Sequence, residues 1–532
     1  RGGVFHLFSP IRDDMPDDIG LVWHPVRPGT DTALILAMAY VLQDEGLADA
    51  RFLSKYCVGY ETFREYLRAD TDGGPKTPQW AESITGIPAA TIADLARDLV
   101  RRKSLISVAH ALQRAEYGEQ PVWAALALAA MIGQIGLPGR GFTYAFGSLA
   151  HTGRQQVSVP IPVLPQGRNA CMEWIPVAAI SDMLLNPGAP FAFMGEPRTF
   201  PDISLLWWAG GNPFHHHQDL HRLTQAIGRV DTFVVQEPVW TATAKSADIV
   251  LPISFTLERS DFGGTRNDSR LFAMQKLAEP PGGARSDYDA LACVAAAIGP
   301  DEHKAFTEGR SVDEWLRHLY EPTRTALEEM GLDAPDFDEF WRRGWLDLPC
   351  KPDSGGFLEA FRTSPERHPL KTPSGRIEIV SEEITAYGYQ DAPGMPVWRP
   401  HERTPDADRP FYLIANAPST RLHSQLDFGE TSEAQKVAGR EKVRINPVDA
   451  ARLGLADGDV ARLENECGAC LAGVELSAHI RGGVLHLQTG AWFDPQPDPE
   501  GRARVFCTHG NANVLTPDKG TSQLTRGCTG QI

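Results

Sequence analysis

The chain has 532 residues, 42% hydrophobic and 22% charged, with a formal net charge of −17. That length supports about three domains with their own cores, and the composition is that of an ordinary globular protein. The acidic balance excludes a basic surface for nucleic acid or anionic lipid, and no run reaches the ~18 apolar residues of a transmembrane helix.

The eight cysteines are scattered, which is no disulfide scaffold. Cys467-Gly-Ala-Cys470 has CxxC spacing but no second pair at zinc-site distance, so a hairpin is expected there. The chain opens at Arg1 and enters an apolar stretch at once. It is read as a piece of a longer protein, with any signal peptide out of view and the compartment left open.

Val4 to Phe8 reads as a strand, with Arg12 and Asp13 just beyond its end. Arg27-Pro28-Gly29-Thr30-Asp31 leads into a helix over Thr32 to Glu45, with Thr30 or Asp31 as N-cap. A helix N-terminus beside a Pro-Gly turn and an arginine suits phosphate, although an ordinary capped helix uses the same residues. Phe52 to Tyr66, Pro88 to Val100 and Val312 to Arg343 read as amphipathic helices. Ala33 to Leu42 and Pro121 to Ile132 read as buried core helices. Leu105 to Ala109 is a strand, and Gln113 and Arg114 follow its end. Gly133 to Gly147 reads either as a loop that lets a ligand approach the backbone or as a flexible loop. The Pro-rich stretch from Gln155 to Gly167 is expected to cross the surface.

The stretch Leu205 to Pro252 carries the most information. Ile203 to Ala209 reads as a strand buried on both faces. Gly210-Gly211-Asn212-Pro213 is a turn. A helix from Asp219 to Ile227 has Leu220, Leu223, Ala226 and Ile227 on one face. Strands follow at Thr232 to Gln236 and Ile249 to Leu251. This is a βαβ unit, in which ligands sit beyond the carboxyl ends of the strands. The GGNP turn is not the GxGxxG fingerprint of NAD folds. Glu237 follows Gly211 near the ~20-residue spacing of a base- or ribose-reading carboxylate. Guanine, with donors at N1 and N2, suits it, while a solvated strand end is the plain alternative. His215-His216-His217 cannot all reach one metal ion, because neighbouring side chains diverge, so a polar lip is expected.

The words WAGGNPFHHHQDLHRL, FVVQEPVWTATAKSADIVLP and LERSDFGG resemble the molybdopterin oxidoreductase family, the dimethyl sulfoxide reductase superfamily. PVRPGTDTALILAMAYVL, LQRAEYGEQPVW, TPSGRIE, HSQLD, GREKVRINP, GAWFD and GNANVLTPDKG extend the resemblance over nearly the whole chain. They favour the S- and N-oxide reductase branch, that of the biotin sulfoxide and trimethylamine N-oxide reductases. One departure is Ala512, where the family pattern has proline.

The resemblance implies two doubly wound α/β dinucleotide-binding domains, 1–195 and 196–400, and a C-terminal β-barrel domain, 401–532. Short strands at Phe411 to Ala415, Ala461 to Asn465, Cys470 to Leu476 and Gly483 to Leu487 agree with a barrel. It implies molybdenum held by two molybdopterin guanine dinucleotides, with no iron–sulfur cluster in this segment. It also implies reduction of a small S-oxide or N-oxide by oxygen-atom transfer. The electron donor, a protein or a reduced nicotinamide, is left open. The cofactor contacts it implies are Arg12, Asp13, Arg27, Gly29, Asp31, Gln113, Arg114, Gly210, Gly211, Asn212, Pro213, His216, Gln236, Glu237, Thr241, Asp248, His423, Ser424, Gln425, Asn446, Asn511 and Gln531. In this branch a serine ligates the metal, N-terminal to the segment matched from Val4 onward. No metal ligand or catalytic residue is therefore assigned. The alternatives are another branch, of the formate dehydrogenase or nitrate reductase type, and an inert truncated scaffold.

Overall fold

The computed structural model describes residues 3–68, 74–146, 155–351 and 356–530. It is a mixed α/β structure in which, among the described residues, three large apolar cores and a small cluster of Ile11, Ile414, Ile480 and Val484 are assembled from distant parts of the chain.

The first core forms around the helix Asp31–Asp44, whose Leu34, Leu36, Ala37, Met38, Val41 and Leu42 are all buried. The helix Glu119–Met131 packs against it and is buried on nearly every side. Such all-round apolar helices belong in an interior. Ile377, Ile379 and Val397 join the same core from far along the chain. Short parallel pairs flank it, Phe5–Phe8 with Leu21–His24 and Leu105–Val108 with Gly141–Tyr144.

Two expected helices are broken. Phe52 to Tyr66 becomes the helix Ala50–Tyr56, a strand Cys57–Val58 and the helix Tyr60–Arg68. The break is at Gly59, with φ +81°, where a Cβ would stand 2.5 Å from Val380. The region from Val312 to Arg343 splits into Val312–Glu329 and Phe337–Arg343, parted after Gly331, which has φ +68°. The expected glycine-rich loop ends in the strand Gly141–Tyr144. Cβ atoms at Gly133 and Gly136 would clash with Asp49 and Arg362, so these glycines serve packing inside the protein. Gly147 lies outside the described residues.

The second core holds the βαβ unit. The strand Thr232–Glu237 lies between Leu205–Ala209 and Ile249–Pro252, all parallel. Leu205–Ala209 is an edge strand, half-exposed along its length, where burial on both faces was expected. Leu220, Leu223, Ala226 and Ile227 are buried as their spacing predicts. They share one core with Val443, Ile445, Val474 and Leu487 of the C-terminal sheet. That sheet runs Tyr412–Ile414, Val484–Leu487, Lys442–Ile445, Ala469–Leu476, Val460–Glu464, and Phe506–Cys507 also pairs with Ala469–Leu476. Parallel and antiparallel pairs alternate in it, and among the described residues it is an open path.

The third core, around Tyr320, Phe337 and Phe340, also takes Val159 from the Pro-rich stretch. Among the described residues no helix is long and apolar enough to cross a membrane.

Candidate functional site

The site begins at the carboxyl edge of the three-stranded sheet. Gly210 and Gly211 have φ of +76° and +77°, and no protein atom stands within 4 Å of a Cβ built on Gly210. Beside this open backbone lie Asn212 and Pro213, the latter at the first turn of the helix Pro213–His216. The Asn212 Oδ1 is buried with no partner.

Glu237 ends the central strand at the same edge. Burial pushes its carboxyl up to about 7, against hydrogen bonds from Thr241, the Val239 backbone and Asn212. Thr241 is also the N-cap of the helix Ala242–Lys245. Gln236 is buried between Trp207 and Asp287, accepting from one at 2.8 Å and donating to the other at 2.9 Å.

The three histidines diverge. His215 is fully buried and neither ring nitrogen has a partner. Burial and the neighbouring His216 hold it down at about 3, so it is neutral. His216 meets Ser424 Oγ at 3.4 Å and the His423 ring at 5.2 Å. His216 and His217 are both held at about 4, first by burial, with the positive charge of Arg114 adding to it. The Arg114 side chain is exposed and has no ion-pair partner among the described residues. Near it, His110 stacks on Tyr144 at 5.5 Å and bonds Gln113 at 2.5 Å. The Tyr144 hydroxyl and His110 Nδ1 are buried without partners.

The C-terminal region covers this edge. Asn511 donates to the Phe214 carbonyl at 3.0 Å and to Ala491 at 2.8 Å. Asn513 donates to the His215 carbonyl at 3.0 Å. Trp492 donates to the Ser424 carbonyl at 2.9 Å. Behind His215 lies a buried charge cluster. Arg421, Asp427 and Lys436 side chains are each 2% exposed. Arg421 also reaches Glu441 at 2.5 Å, and His509 bonds Asp427 at 2.8 Å.

Other expected contacts take places in the framework. Arg27 donates to the carbonyls of Ser83 and Ile84 at the end of the helix Pro78–Thr85. Gly29, with φ +72°, is where a Cβ would stand 2.2 Å from the His401 ring. Asp31 opens its helix, and burial raises it to about 6. Asp13 pairs with Arg444 at 2.7 Å and so ties its loop to the C-terminal sheet, while Arg12 pairs locally with Asp17. Asn446 caps the helix Pro447–Leu453 and bonds Ile480. Gln425 is exposed.

Asp248 lies at the opposite end of the sheet. Its carboxylate accepts from the Phe233 amide at 2.8 Å, because it precedes its strand while Glu237 ends its own. Gln531 lies outside the described residues. Cys467 and Cys470 flank a turn between paired strands, as a hairpin requires.

Residues 18–297 match the Molybdopterin oxidoreductase family model, and 411–531 match the Molydopterin dinucleotide binding domain. The chain is 45% identical to biotin sulfoxide reductase from Cereibacter sphaeroides over 99% of its length and 70% of that protein. This chain belongs to the molybdopterin oxidoreductase family. It is also 40% identical to the dimethyl sulfoxide/trimethylamine N-oxide reductase of Cereibacter sphaeroides, over 100% of the chain and 66% of that protein. With trimethylamine-N-oxide reductase 1 of Escherichia coli K12 the identity is 38%, over 94% of the chain and 61% of the relative. The chain thus spans about two thirds of such relatives. Acetylene hydratase from Pelobacter acetylenicus has the same fold, with a TM-score of 0.63 at 17% identity, over 99% of this chain and 72% of that one.

The cofactor that such domains take is a molybdenum–molybdopterin group, and the residues present fit it. The Gly210-Gly211 cradle is open, an unpaired cation stands nearby, and the buried polar atoms of Asn212, His215 and Tyr144 have no partner. A donor- and acceptor-rich dinucleotide satisfies such a set. Tyr144 and His110 were not among the expected contacts. Tyr144 was hidden in a glycine-rich stretch, and only its position at a strand end could have marked it.

Proposed function

We propose that this chain is the dinucleotide-gripping portion of a molybdenum-dependent oxidoreductase that reduces an S-oxide or N-oxide. The observation that carries the substrate class is the 45% identity, over 99% of the chain, to a biotin sulfoxide reductase. The cofactor in this reading is a pair of molybdopterin guanine dinucleotides, and the bound molybdenum supplies the oxygen-atom transfer.

The chain's own residues bind, orient and exclude water. Gly210 and Gly211 let a diphosphate approach the backbone, where any side chain would intervene. Arg114 supplies a nearby positive charge. Asn212 and Glu237 face the base, and an ionised Glu237 accepts from the two donors of guanine. His216, Ser424 and His423 form the lip between the βαβ unit and the C-terminal sheet. The shared apolar core beneath them keeps that lip in place. The reading takes two doubly wound α/β units, 1–195 and 196–400, and 401–532 as a barrel-type lid, with the first unit extended by the returning segment 361–397 that shares its core. The parallel pairs and the mixed sheet support it.

The test uses the full-length protein. Molybdenum content, GMP released by acid hydrolysis, and dye-linked reduction of S-oxides and N-oxides are measured together. All three are expected. Protein with neither molybdenum nor GMP would overturn the proposal.

A further inference from the structure

The C-terminal sheet lines a cavity of about 620 Å³, and none of the residues of the dinucleotide site described above is in its lining. Its floor is apolar. Leu413, Val443, Ile445, Leu463 and Val474 line it from four strands and are all buried. This volume lies within the usual range for small-molecule sites. Residues 402–406 and 408–410, which lead into the strand Tyr412–Ile414, also line the cavity.

The rim is ionic, and its cations are all engaged. Arg403 pairs with Glu466 at 3.0 Å, and Arg409 pairs with the same carboxylate. Arg462 pairs with Glu464 at 2.6 Å and with Asp498 at 2.7 Å. No arginine is left to receive an anion. Of the lining carboxylates, Asp408 is exposed and has no cation partner among the described residues. An apolar basin under a rim with a spare negative charge favours one ligand chemistry. The field of that rim works against anions there.

We propose that this cavity is a second binding site, for a hydrophobic organic cation. Its apolar body lies against Val443 and Val474, and its positive head lies at Asp408. The proposal uses no residue assigned above as a dinucleotide contact, so its failure would leave the function proposed above untouched.

The probe is the styryl dye 4-[4-(dimethylamino)styryl]-N-methylpyridinium, titrated into the holoprotein and followed by fluorescence. Saturable binding is expected, with the anion 8-anilinonaphthalene-1-sulfonate at least about tenfold weaker. Val474→Trp fills the basin and should abolish the signal. If that variant fails to fold, Asp408→Asn serves, because its side chain is exposed. It should weaken the cation by roughly threefold and leave the neutral probe N-phenyl-1-naphthylamine unchanged. Three outcomes overturn the proposal. The anion binds as tightly as the cation, or the cation ignores both substitutions, or no probe binds because protein fills the space.

Discussion

Asn513 holds His215 by its backbone, its side-chain amide donating to the His215 carbonyl at 3.0 Å across 298 positions of sequence. Asn511 does the same for Phe214 at 3.0 Å. The histidine helix is thus fixed by the C-terminal region rather than by its own strand. Asn511→Ala orphans buried carbonyls, each at a cost of about 1–3 kcal/mol. Amide exchange over 213–216 should accelerate, and the denaturation midpoint should fall. Unchanged exchange there would show that the shared apolar core alone holds the contact.

His215 makes a sharper case. A buried neutral imidazole with two unpartnered nitrogens destabilises the cofactor-free protein. His215→Phe should therefore stabilise the apoprotein by about 1 kcal/mol and reduce molybdenum retention. Calorimetry of the apoprotein and metal analysis of the holoprotein read the two arms. Lower apoprotein stability with full retention would mean that His215 is only a packing residue.

Gly211 tests the cradle. A Cβ there would be 3.6 Å from Trp208 Nε1, so the fold has room for it. Gly211→Ala then carries only the left-handed backbone strain, about 1–2 kcal/mol. A modest fall in melting temperature is expected, with a large loss of bound dinucleotide. Full molybdenum occupancy would reduce the turn to a structural role.

Glu237 gives the site a pH dependence. Burial sets its carboxyl at about 7 before any base is bound. A guanine held there, as proposed, would favour the carboxylate, so the bound value would lie lower and binding would expel a proton at acid pH. Dinucleotide affinity should rise with pH, by up to about tenfold per unit, and level off above about 7. Glu237→Gln should remove that slope. Retention that does not vary between mildly acid and neutral pH would show that Glu237 does not meet the base.

Asp427 sets an acid limit on stability. Burial pushes its carboxyl up, yet His509, Arg421 and Lys436 together hold it down at about 2. Its unfolded value is about 3.9. A depressed carboxylate contributes stability that is present above the unfolded value and lost as pH falls through the folded one. Urea midpoints should therefore drop between about pH 4 and 2. Asp427→Asn leaves Lys436 and Arg421 buried with fewer partners and should cost about 3 kcal/mol at neutral pH. It should also flatten the acid drop.

Much of this site was legible because it follows short-range rules. The period of Leu220, Leu223, Ala226 and Ile227 marked the buried face of one helix. The glycine pair and Glu237 marked the two sides of one sheet edge. What was hidden depends on the path of the chain through space. Asp248 resembles a site acid, but parallel pairing sends it to the far edge. The proline-rich stretch from 391 to 410 resembles a linker, yet Val397 is 6% exposed and part of the first core. Arg421, Asp427 and Lys436 resemble solvated loop charges until they are seen to bury one another. Gly29 resembles a phosphate turn, although His401 fills the space beside it.

The segment 519–530 has a consequence in time. Gly530 donates to the Arg114 carbonyl at 2.7 Å, Tyr117 donates to Thr521 at 2.7 Å, and Gln218 donates to Lys519 at 2.7 Å. Arg114 and the helix before Gln218 thus wait for backbone that a ribosome makes roughly tens of seconds after Arg114 itself. Until Gly530 has left the exit tunnel, the grip lacks its final clasp. The finished cradle therefore arises only after translation has passed that point.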